Sequence, residues 1–313
     1  MLVVGATGAV GRHLVPQLVR AGHEVVAAAQ NPSAGVSPGV EVRAVDLLDA
    51  TAVVDAVKEV APDAVIHQVT ALTELGNNLR KFDQSFAATD RLRTHGTRAL
   101  IEAGLTMPRM PRLVAQSFCG WTSPPTGGPV KTEDEALDPN PAPAFRQTFA
   151  AIRELESLVS EYPNGVALRC CAPYGPGTSL AKGGAQIEAI RTRRFTLVGE
   201  AGAIWSFLHV EDAPSASVAA LTQGHGVYNI VDDHPVRIGH WLIEIASITG
   251  FLTPRRVPAW VARIAGGQGL VYMMTRARGS SNTKARRELG WKPSYPDWGA
   301  GFEIELRRPA VSS

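Results

Sequence analysis

Three glycines near the start of the chain have the spacing of a diphosphate-binding loop. Gly5, Gly8 and Gly11 follow a short apolar run, residues 2–4, and precede a stretch with apolar residues at helical spacing. A strand, a glycine turn and a helix start would direct backbone N–H groups and the positive end of the helix dipole at an anion, and the missing Cβ atoms would let it approach. The spacing predicts a nucleotide-binding loop, with an ordinary tight turn as the alternative.

Thiol and metal chemistry have little support in the sequence. The chain has three cysteines, Cys119, Cys170 and Cys171; their number is odd and two are adjacent, which argues against a disulfide framework. Cys119 has no base that the sequence could pair with it as a nucleophile. Neither Cys-x-x-Cys nor His-Glu-x-x-His occurs, so we expect no metal site.

The composition excludes several classes of partner. The 313 residues are 45% hydrophobic and 19% charged, as in a soluble globular protein with a substantial core. The net charge is only +2, so we expect no nucleic-acid partner. No apolar run is long enough to span a membrane, and no charged-then-apolar leader opens the sequence, which favours a cytoplasmic protein without a membrane partner.

The elements that would position these groups alternate regularly in the first half of the chain. Apolar runs of strand length alternate with stretches of helical periodicity, at the short spacings of parallel β-α-β units. After the first helix we predict strands at residues 23–29, 40–45, 63–67, 112–117 and 165–170, and helices at 52–60, 80–103 and 145–162. The fold class is therefore α/β, with a doubly wound parallel Rossmann-type sheet and a smaller C-terminal substrate lobe.

The alternation breaks after residue 177. We predict helices at residues 185–193, 212–221, 238–249 and 283–289, and a strand at 227–231. Residues 207–231 would return to the main sheet. The predicted dinucleotide-binding domain is 1–176 plus 205–232, and the substrate-binding lobe is 177–204 plus 233–313. Ligands in such folds lie beyond the carboxyl ends of the strands.

An ordered set of short motifs carries a family resemblance. The motifs are Gly5-Ala-Thr-Gly8-Ala-Val-Gly11, Asp46-Leu47, Val65-Ile-His67, Gly96-Thr97, Leu168-Arg169, Tyr174-Gly-Pro-Gly177, Phe207-Leu-His-Val-Glu-Asp212, Val227-Tyr-Asn229 and Glu288-Leu-Gly-Trp-Lys-Pro293. In this order they resemble the extended short-chain dehydrogenase/reductases, the NAD-dependent epimerase/dehydratase family. The resemblance implies a Rossmann fold, a nicotinamide cofactor and hydride transfer.

The acid–base pair of that family is missing. Its Tyr-x-x-x-Lys lies on the helix after strand five, where the Lys charge lowers the pKa of the Tyr. Aligning this helix on Glu156 puts Thr148 and Ile152 at the two positions, and a shift by one residue gives Phe149 and Arg153. No tyrosine anywhere in the chain is followed four residues later by a lysine.

Two hydroxyls are the catalytic candidates that the resemblance leaves. Ser117 stands where the family has its catalytic Ser or Thr, although a serine at a strand end is more often a local cap. Tyr174 follows strand six near the expected nicotinamide and could donate a proton, or it could simply pack its turn. His67 and His209 stand at family positions that are more often structural than catalytic.

Several arginines could bind an anion or simply be solvated. Arg146 and Arg153 share one helical face, and residues 191, 193 and 194 are arginines at the start of the lobe. Arg93 replaces the Asn that the family has three residues before Gly-Thr.

The predicted cofactor contacts follow strands one to four and six. They are Gly5, Thr7, Gly8, Ala9, Val10, Gly11, Arg12, Gln30, Asp46, Leu47, Gln68, Val69, Thr70 and Pro173. NAD sites place an acid after strand two, where it would repel a 2′-phosphate. Gln30 and Asn31 stand there instead, and Arg12 could reach a 2′-phosphate, so we predict NADP, with NAD as the alternative.

Three functions fit this pattern. The first is an NAD(P)-dependent oxidoreductase that acts on a small hydroxyl or carbonyl metabolite, held by Ser117, with a non-standard acid. The second is a redox-neutral cyclase, isomerase or lyase, and the third is a non-catalytic NADP-sensing regulator. The resemblance also implies a homodimer through helices 80–103 and 145–162.

Overall fold

The computed structural model describes residues 1–31, 36–70 and 82–307. Its strands are β1 Leu2–Val4, β2 Val26–Ala29, β3 Glu41–Ala44, β4 Ala64–His67, β5 Arg112–Phe118, β6 Val130–Lys131, β7 Gly165–Cys170, β8 Pro173–Tyr174, β9 Leu197–Val198, β10 Ile204–Trp205, β11 Leu208–His209, β12 Gly226–Ile230, β13 Val236–Arg237, β14 Arg256–Val257 and β15 Gly279–Ser280. Its α-helices are α1 Gly11–Arg20, α2 Ala50–Val60, α3 Phe82–Arg91, α4 Thr97–Leu105, α5 Arg146–Glu161, α6 Ala185–Arg191, α7 Asp212–Ala219, α8 Ile238–Thr249, α9 Ala259–Thr275, α10 Thr283–Glu288 and α11 Trp298–Arg307.

Seven parallel strands form the central sheet, in the order β12-β7-β5-β4-β1-β2-β3. The strand order reverses between β1 and β4, so a crevice opens at the carboxyl ends of these two strands, where such folds bind ligands. Successive side chains of a strand face opposite layers. In β1, Val3 packs with α1 and α7, while Leu2 and Val4 pack with α2, α4 and α5. The α/β prediction is confirmed.

Most of the predicted elements are present with small shifts at their ends. The predicted return of residues 207–231 to the main sheet is also correct, since β12 forms its edge. The helix predicted at 80–103 differs, because a π-helical turn at Leu92–Gly96 separates α3 from α4; its predicted start at Arg80 lies outside the described residues. Helices α9 and α11 were not predicted. Glycines interrupt both sequences, and α9 is kinked at Gly267, which has φ 81°.

A third core joins the C-terminal helices to the sheet. Its centre is formed by Phe207, by Trp241 of α8 and by Phe302 of α11. The same cluster includes Phe145 and Phe149 at the start of α5. This core holds the C-terminal segments over the carboxyl edge of the sheet. The division into domains at residues 176, 205 and 232 stays a prediction.

The two helices predicted to form a dimer interface lie side by side. An ion pair joins Arg98 of α4 to Glu154 of α5, at 2.6 Å. Within the described part of these two helices, the exposed large hydrophobic residue is Leu105. Pairing through this surface stays a prediction. Among the described helices, none combines the length and the apolar character needed to cross a membrane.

Candidate active site

The glycine loop between β1 and α1 has the close backbone packing that its sequence predicts. Gly5 has φ 88°, and a Cβ atom there would lie 2.8 Å from the carbonyl carbon of Gln68. A Cβ atom on Gly11 would lie 2.2 Å from the carbonyl oxygen of Gly5. Gly8 is exposed at the tip of the loop. No side chain caps the start of α1 and no acid lies in its first turn, so this N-terminus fits the diphosphate of a dinucleotide.

The residues after β2 and β3 lie on the other side of β1 from β4. Gln30 is exposed and uncharged. The Asp46 carboxylate is also exposed and accepts a hydrogen bond from the backbone N–H of Leu48, at 2.9 Å. Leu47 is buried against the π-helical turn, where a Cβ atom on Gly96 would lie 2.7 Å from its side chain. Gln30 and Asp46 could therefore contact an adenosine through their side chains, whereas the Leu47 side chain is a packing residue.

Arg12 points away from the end of β2. One of its terminal nitrogens lies 3.4 Å from the position of a Cβ atom on Gly177. Gly177 follows β7, and β7 and β2 lie on opposite sides of β1 in the sheet. The expectation that Arg12 reaches a 2′-phosphate beside Gln30 is therefore corrected: its guanidinium lies beside the loop that follows β8.

The end of β4 provides a neutral histidine. His67 is buried, its Nδ1 accepts a hydrogen bond from the Val69 N–H at 3.2 Å, and its Nε2 lies 3.4 Å from the Leu92 carbonyl oxygen. Burial, helped by the charge of Arg93, lowers the pKa of His67 to about 4. The ring is thus a structural link between β4 and the π-helical turn. Val69 and Thr70 are half-buried beside it, and the Gln68 amide bonds Ser217 on α7.

Ser117 is part of a buried ion-pair network. Its hydroxyl donates to Oε1 of Glu156 at 2.7 Å. Arg169 on β7 binds both carboxylate oxygens of Glu156, each at 2.7 Å. Ser117 is 1% exposed, and its hydroxyl faces α5. The expectation of a substrate-facing hydroxyl is therefore corrected: the carboxylate draws the Ser117 side chain into the sheet–helix interface.

The two positions of the missing pair are closed. Thr148 is fully buried and donates its hydroxyl to Asp90 of α3 at 2.8 Å. Ile152, one turn later, is also fully buried. In the shifted alignment, Phe149 is buried, and Arg153 is exposed and donates to the Asp138 carbonyl oxygen at 3.3 Å. Neither alignment brings a phenol or an ammonium group into the site.

Tyr174 is a core residue. Its ring is fully buried and stacks on Phe302 at 4.2 Å. A Cβ atom on Gly301 would lie 2.0 Å from its hydroxyl oxygen, so the hydroxyl points at the backbone of α11. Burial raises the pKa of Tyr174 far above its ordinary value. The expectation that it donates a proton near the nicotinamide is corrected. Pro173, the residue before Tyr174, is half-buried.

An aromatic cluster follows β5 at the ligand edge of the sheet. Trp121 lies 4.9 Å from Phe82, 4.9 Å from Phe118 and 4.8 Å from Phe145, between ring centroids. Phe86 stacks on Phe82 at 4.1 Å. Phe86 and Phe118 are only partly buried, so the cluster keeps some ring surface exposed. This cluster is not among the features predicted from the sequence, although the aromatic residues at 82–86, 118–121 and 145–149 indicate it.

The remaining candidates line a surface cavity or are buried. Arg146 and Arg153 line a surface cavity of about 320 Å³ beside Phe149. His209 is fully buried, 3.4 Å from a carboxylate oxygen of Glu305. The three cysteines are free and buried. In the part of the chain that the structure describes, no group of His, Cys, Asp and Glu side chains could hold a metal ion.

The glycine loop at the switch point of a parallel sheet defines a dinucleotide-binding α/β protein. The sequence model of the NAD-dependent epimerase/dehydratase family matches residues 1–231. A Streptomyces protein described as a 3-diazoavenalumate denitrifying reductase is 38% identical over 97% of this chain and 99% of its own length.

Solved structures share the fold. The human epimerase family protein SDR39U1 with NADPH has a TM-score of 0.75, at 19% identity over 98% of this chain and 99% of its own. The UDP-glucose 4-epimerase of Thermus thermophilus with NAD has a TM-score of 0.72, at 23% identity over 99% of both chains.

The chain belongs to the NAD-dependent epimerase/dehydratase family, as the order of its motifs predicted. It is therefore an NAD(P)-dependent enzyme of the oxidoreductase or epimerase type. The glycine loop fits the nicotinamide dinucleotide of this family, because the uncapped start of α1 leaves backbone N–H groups for the diphosphate. Cβ atoms at Gly5 and Gly11 would collide with the backbone after β4 and with the Gly5 carbonyl oxygen, respectively.

Proposed function

We propose that this enzyme is a reductase that removes a diazo group from a small molecule and releases it as N₂. The observation that carries the proposal is its 38% identity, over nearly the whole of both chains, to a 3-diazoavenalumate denitrifying reductase. The proposed substrate is therefore a diazo compound, whereas the family resemblance predicts a carbonyl or hydroxyl compound. Reduction of a diazo compound forms no alkoxide.

The closed acid–base positions support such a reaction. A reduced nicotinamide held at the glycine loop would supply the hydride. The hydride would replace the diazonium nitrogen on carbon, and the C–N electron pair would leave with N₂. No oxygen gains negative charge in this step, so it needs no phenol to protonate an alkoxide. Thr148, Ile152, Ser117 and Tyr174 are all buried, and the hydroxyls of Ser117 and Thr148 already bind carboxylates. A carbonyl reduction needs a proton donor for its alkoxide, whereas a diazonium reduction does not.

The aromatic cluster indicates the substrate class. A diazonium group conjugated to a ring is flat and positively charged, and the faces of aromatic side chains attract cations. Phe86 and Phe118, partly buried beside Trp121, would contact such a ring. We therefore propose an aromatic diazo compound as the substrate.

NADP is the cofactor that we propose, because the residues after β2, Gln30 and Asn31, carry no charge that would repel a 2′-phosphate. Gly5, Gly8 and Gly11 would hold the diphosphate. Thr7, Ala9, Val10, Arg12, Gln30, Asp46, Val69, Thr70 and Pro173 remain proposed contacts. The side chains of Leu47 and Gln68 face the packed interior, so these two residues would contribute through their backbone.

Isotope labelling tests the reaction directly. The purified enzyme would be incubated with a hydroxyarene diazonium salt labelled with ¹⁵N and with NADPH carrying deuterium at the nicotinamide C4. We expect labelled N₂, an equimolar amount of NADP, and deuterium on the carbon that carried nitrogen. All three should form faster than in the same mixture without protein. Release of N₂ without NADPH consumption would instead support the redox-neutral alternative. Reduction of simple carbonyl compounds at a higher rate than the diazo compound would overturn the proposal.

A further inference from the structure

Arg93 is a buried cation whose hydrogen bonding the described residues leave incomplete. It lies on the π-helical turn Leu92–Gly96 and is 4% exposed. A terminal nitrogen of its guanidinium lies 3.4 Å from Oδ1 of Asp90, a long contact. Its Nε has no hydrogen-bond partner among the described residues. Buried polar groups are normally bonded, and an unpaired donor on a charged group is costly.

The acids around Arg93 are already engaged. Glu156 is close enough to act on its charge, but both Glu156 oxygens bind Arg169, and one also accepts from Ser117. Oδ2 of Asp90 accepts the Thr148 hydroxyl. Within the described ranges, the surrounding side chains thus leave donors of the guanidinium unused. π-Helical turns of this kind occur often at functional sites.

The position of Arg93 indicates which ligand would use these donors. Leu92, the residue before it, has its carbonyl oxygen 3.4 Å from Nε2 of His67 at the end of β4, and the charge of Arg93 acts on this histidine. β4 lies on one side of β1, and the residues after β2 and β3 lie on the other. A dinucleotide whose diphosphate lies at the glycine loop extends to both sides of β1, so its adenosine would lie over β2 and its nicotinamide nucleoside over β4 and β5.

We propose that Arg93 is a binding residue for the nicotinamide half of the dinucleotide and donates hydrogen bonds to oxygen atoms of that half. It would supply a fixed positive charge from the turn between α3 and α4, which packs against α5, the helix on which this chain has no lysine. The proposal rests on the nicotinamide cofactor of the family and is independent of the diazo substrate.

Ligand fragments separate this role from a structural one. Arg93→Met, Arg93→Lys and Asp90→Asn would be titrated calorimetrically with NADPH and NADH, and with 2′,5′-ADP and ADP, which lack the nicotinamide half. We expect Arg93→Met to weaken dinucleotide binding about 10-fold or more, as for the loss of a charged hydrogen bond, and to leave binding of the fragments unchanged. Arg93→Lys should recover most of the loss, and Asp90→Asn should bind as the wild type does.

Two further variants keep the test decisive. Arg98→Met removes an exposed arginine from the neighbouring α4 and controls for net charge. If Arg93→Met fails to fold because Asp90 is left unpaired, the double variant Asp90→Asn/Arg93→Met removes both charges, and the same comparison applies. Equal weakening of dinucleotides and fragments, or unchanged dinucleotide binding, would overturn the proposal.

Discussion

Ser117 of β5 donates its hydroxyl to Glu156 of α5 at 2.7 Å, although its position in the sequence is that of a catalytic serine. The carboxylate also binds Arg169 of β7 through both oxygens. One carboxylate thus joins a helix to two adjacent strands. This relationship changes the expected role of Ser117 from holding a substrate oxygen to holding the sheet against α5.

Substitutions in this network should affect stability more than turnover. We expect Ser117→Ala to cost about 1 kcal/mol of unfolding free energy and to change kcat less than a few-fold. Glu156→Gln should cost about 3 kcal/mol, because it leaves the Arg169 charge buried without its counter-ion. Urea unfolding and initial rates would measure both effects. A large loss of kcat in Ser117→Ala at unchanged stability would return the serine to the catalytic site.

Removing the Tyr174 hydroxyl should be harmless. The hydroxyl is buried without a hydrogen-bond partner among the described residues, so Tyr174→Phe should be at least as stable as the wild type and should keep its activity. Thermal unfolding and turnover would test this. Gly301→Ala is the contrasting variant, since its Cβ atom would lie 2.0 Å from that hydroxyl, and we expect it to unfold at a markedly lower temperature. An inactive but stable Tyr174→Phe protein would contradict our assignment.

The sequence predicted the fold well because its signals are local. The glycine loop, the alternating apolar runs and the ordered motifs each depend on neighbouring residues. Helix α9 was missed because Gly266, Gly267 and Gly269 break the helical pattern, and its stability comes from packing, as where Gly269 contacts Phe145.

The site could be predicted only in part, because side-chain direction depends on distant partners. Ser117 could not be placed without its Glu156 contact, which spans 39 positions. Tyr174 could not be placed without α11, a helix that the sequence analysis did not include. The absence of the Tyr-x-x-x-Lys pair, in contrast, is a property of the sequence itself, and the structure adds that Thr148 and Ile152 are sealed.

Alanine at the glycines should separate binding from folding. A Cβ atom on exposed Gly8 would lie 3.4 Å from the Gly5 oxygen, so Gly8→Ala should fold but bind NADPH about 10-fold less tightly, because the methyl group would occupy space needed by the diphosphate. Gly11→Ala should lose stability, since its contact would be 2.2 Å. Gly202→Ala is the matched control, because no atom lies within 4 Å of the added carbon. Calorimetric titration and thermal unfolding would distinguish them, and tight NADPH binding by Gly8→Ala would exclude the loop as the diphosphate site.

An acid after β2 should change the choice of cofactor. Gln30→Glu places a carboxylate where a 2′-phosphate would lie, and repulsion should weaken NADPH binding about 10-fold relative to NADH binding. Affinities for both cofactors would be measured at equal ionic strength, with Glu24→Gln, a charge change at the opposite end of β2, as the control. If both affinities fall equally, Gln30 does not face the adenosine ribose.

A buried acid after β12 should make stability fall as the pH rises. Asp232 is 2% exposed, and burial raises its pKa to about 8, with Asp297 and Asp233 adding to the effect and the N–H groups of His234 and Phe207 opposing it. Its unfolded-state pKa is near 3.8, so between about pH 4 and pH 8 the folded state holds a proton that the unfolded state has lost. The stability that this proton provides is complete below pH 4 and is lost as the pH rises to about 8.

Asp232→Asn should remove that dependence, because the amide stays neutral at every pH. We expect the variant and the wild type to differ little at pH 4, and the variant to be the more stable by more than about 1 kcal/mol at pH 8. Denaturant unfolding at several pH values would give the difference curve, in which the titrations common to both proteins cancel. Asp233→Asn is the matched control; because Asp233 is paired with Arg286, its substitution should destabilise the protein across this range. A flat difference curve for Asp232→Asn would show that the Asp232 carboxyl is ionised in the folded protein at neutral pH.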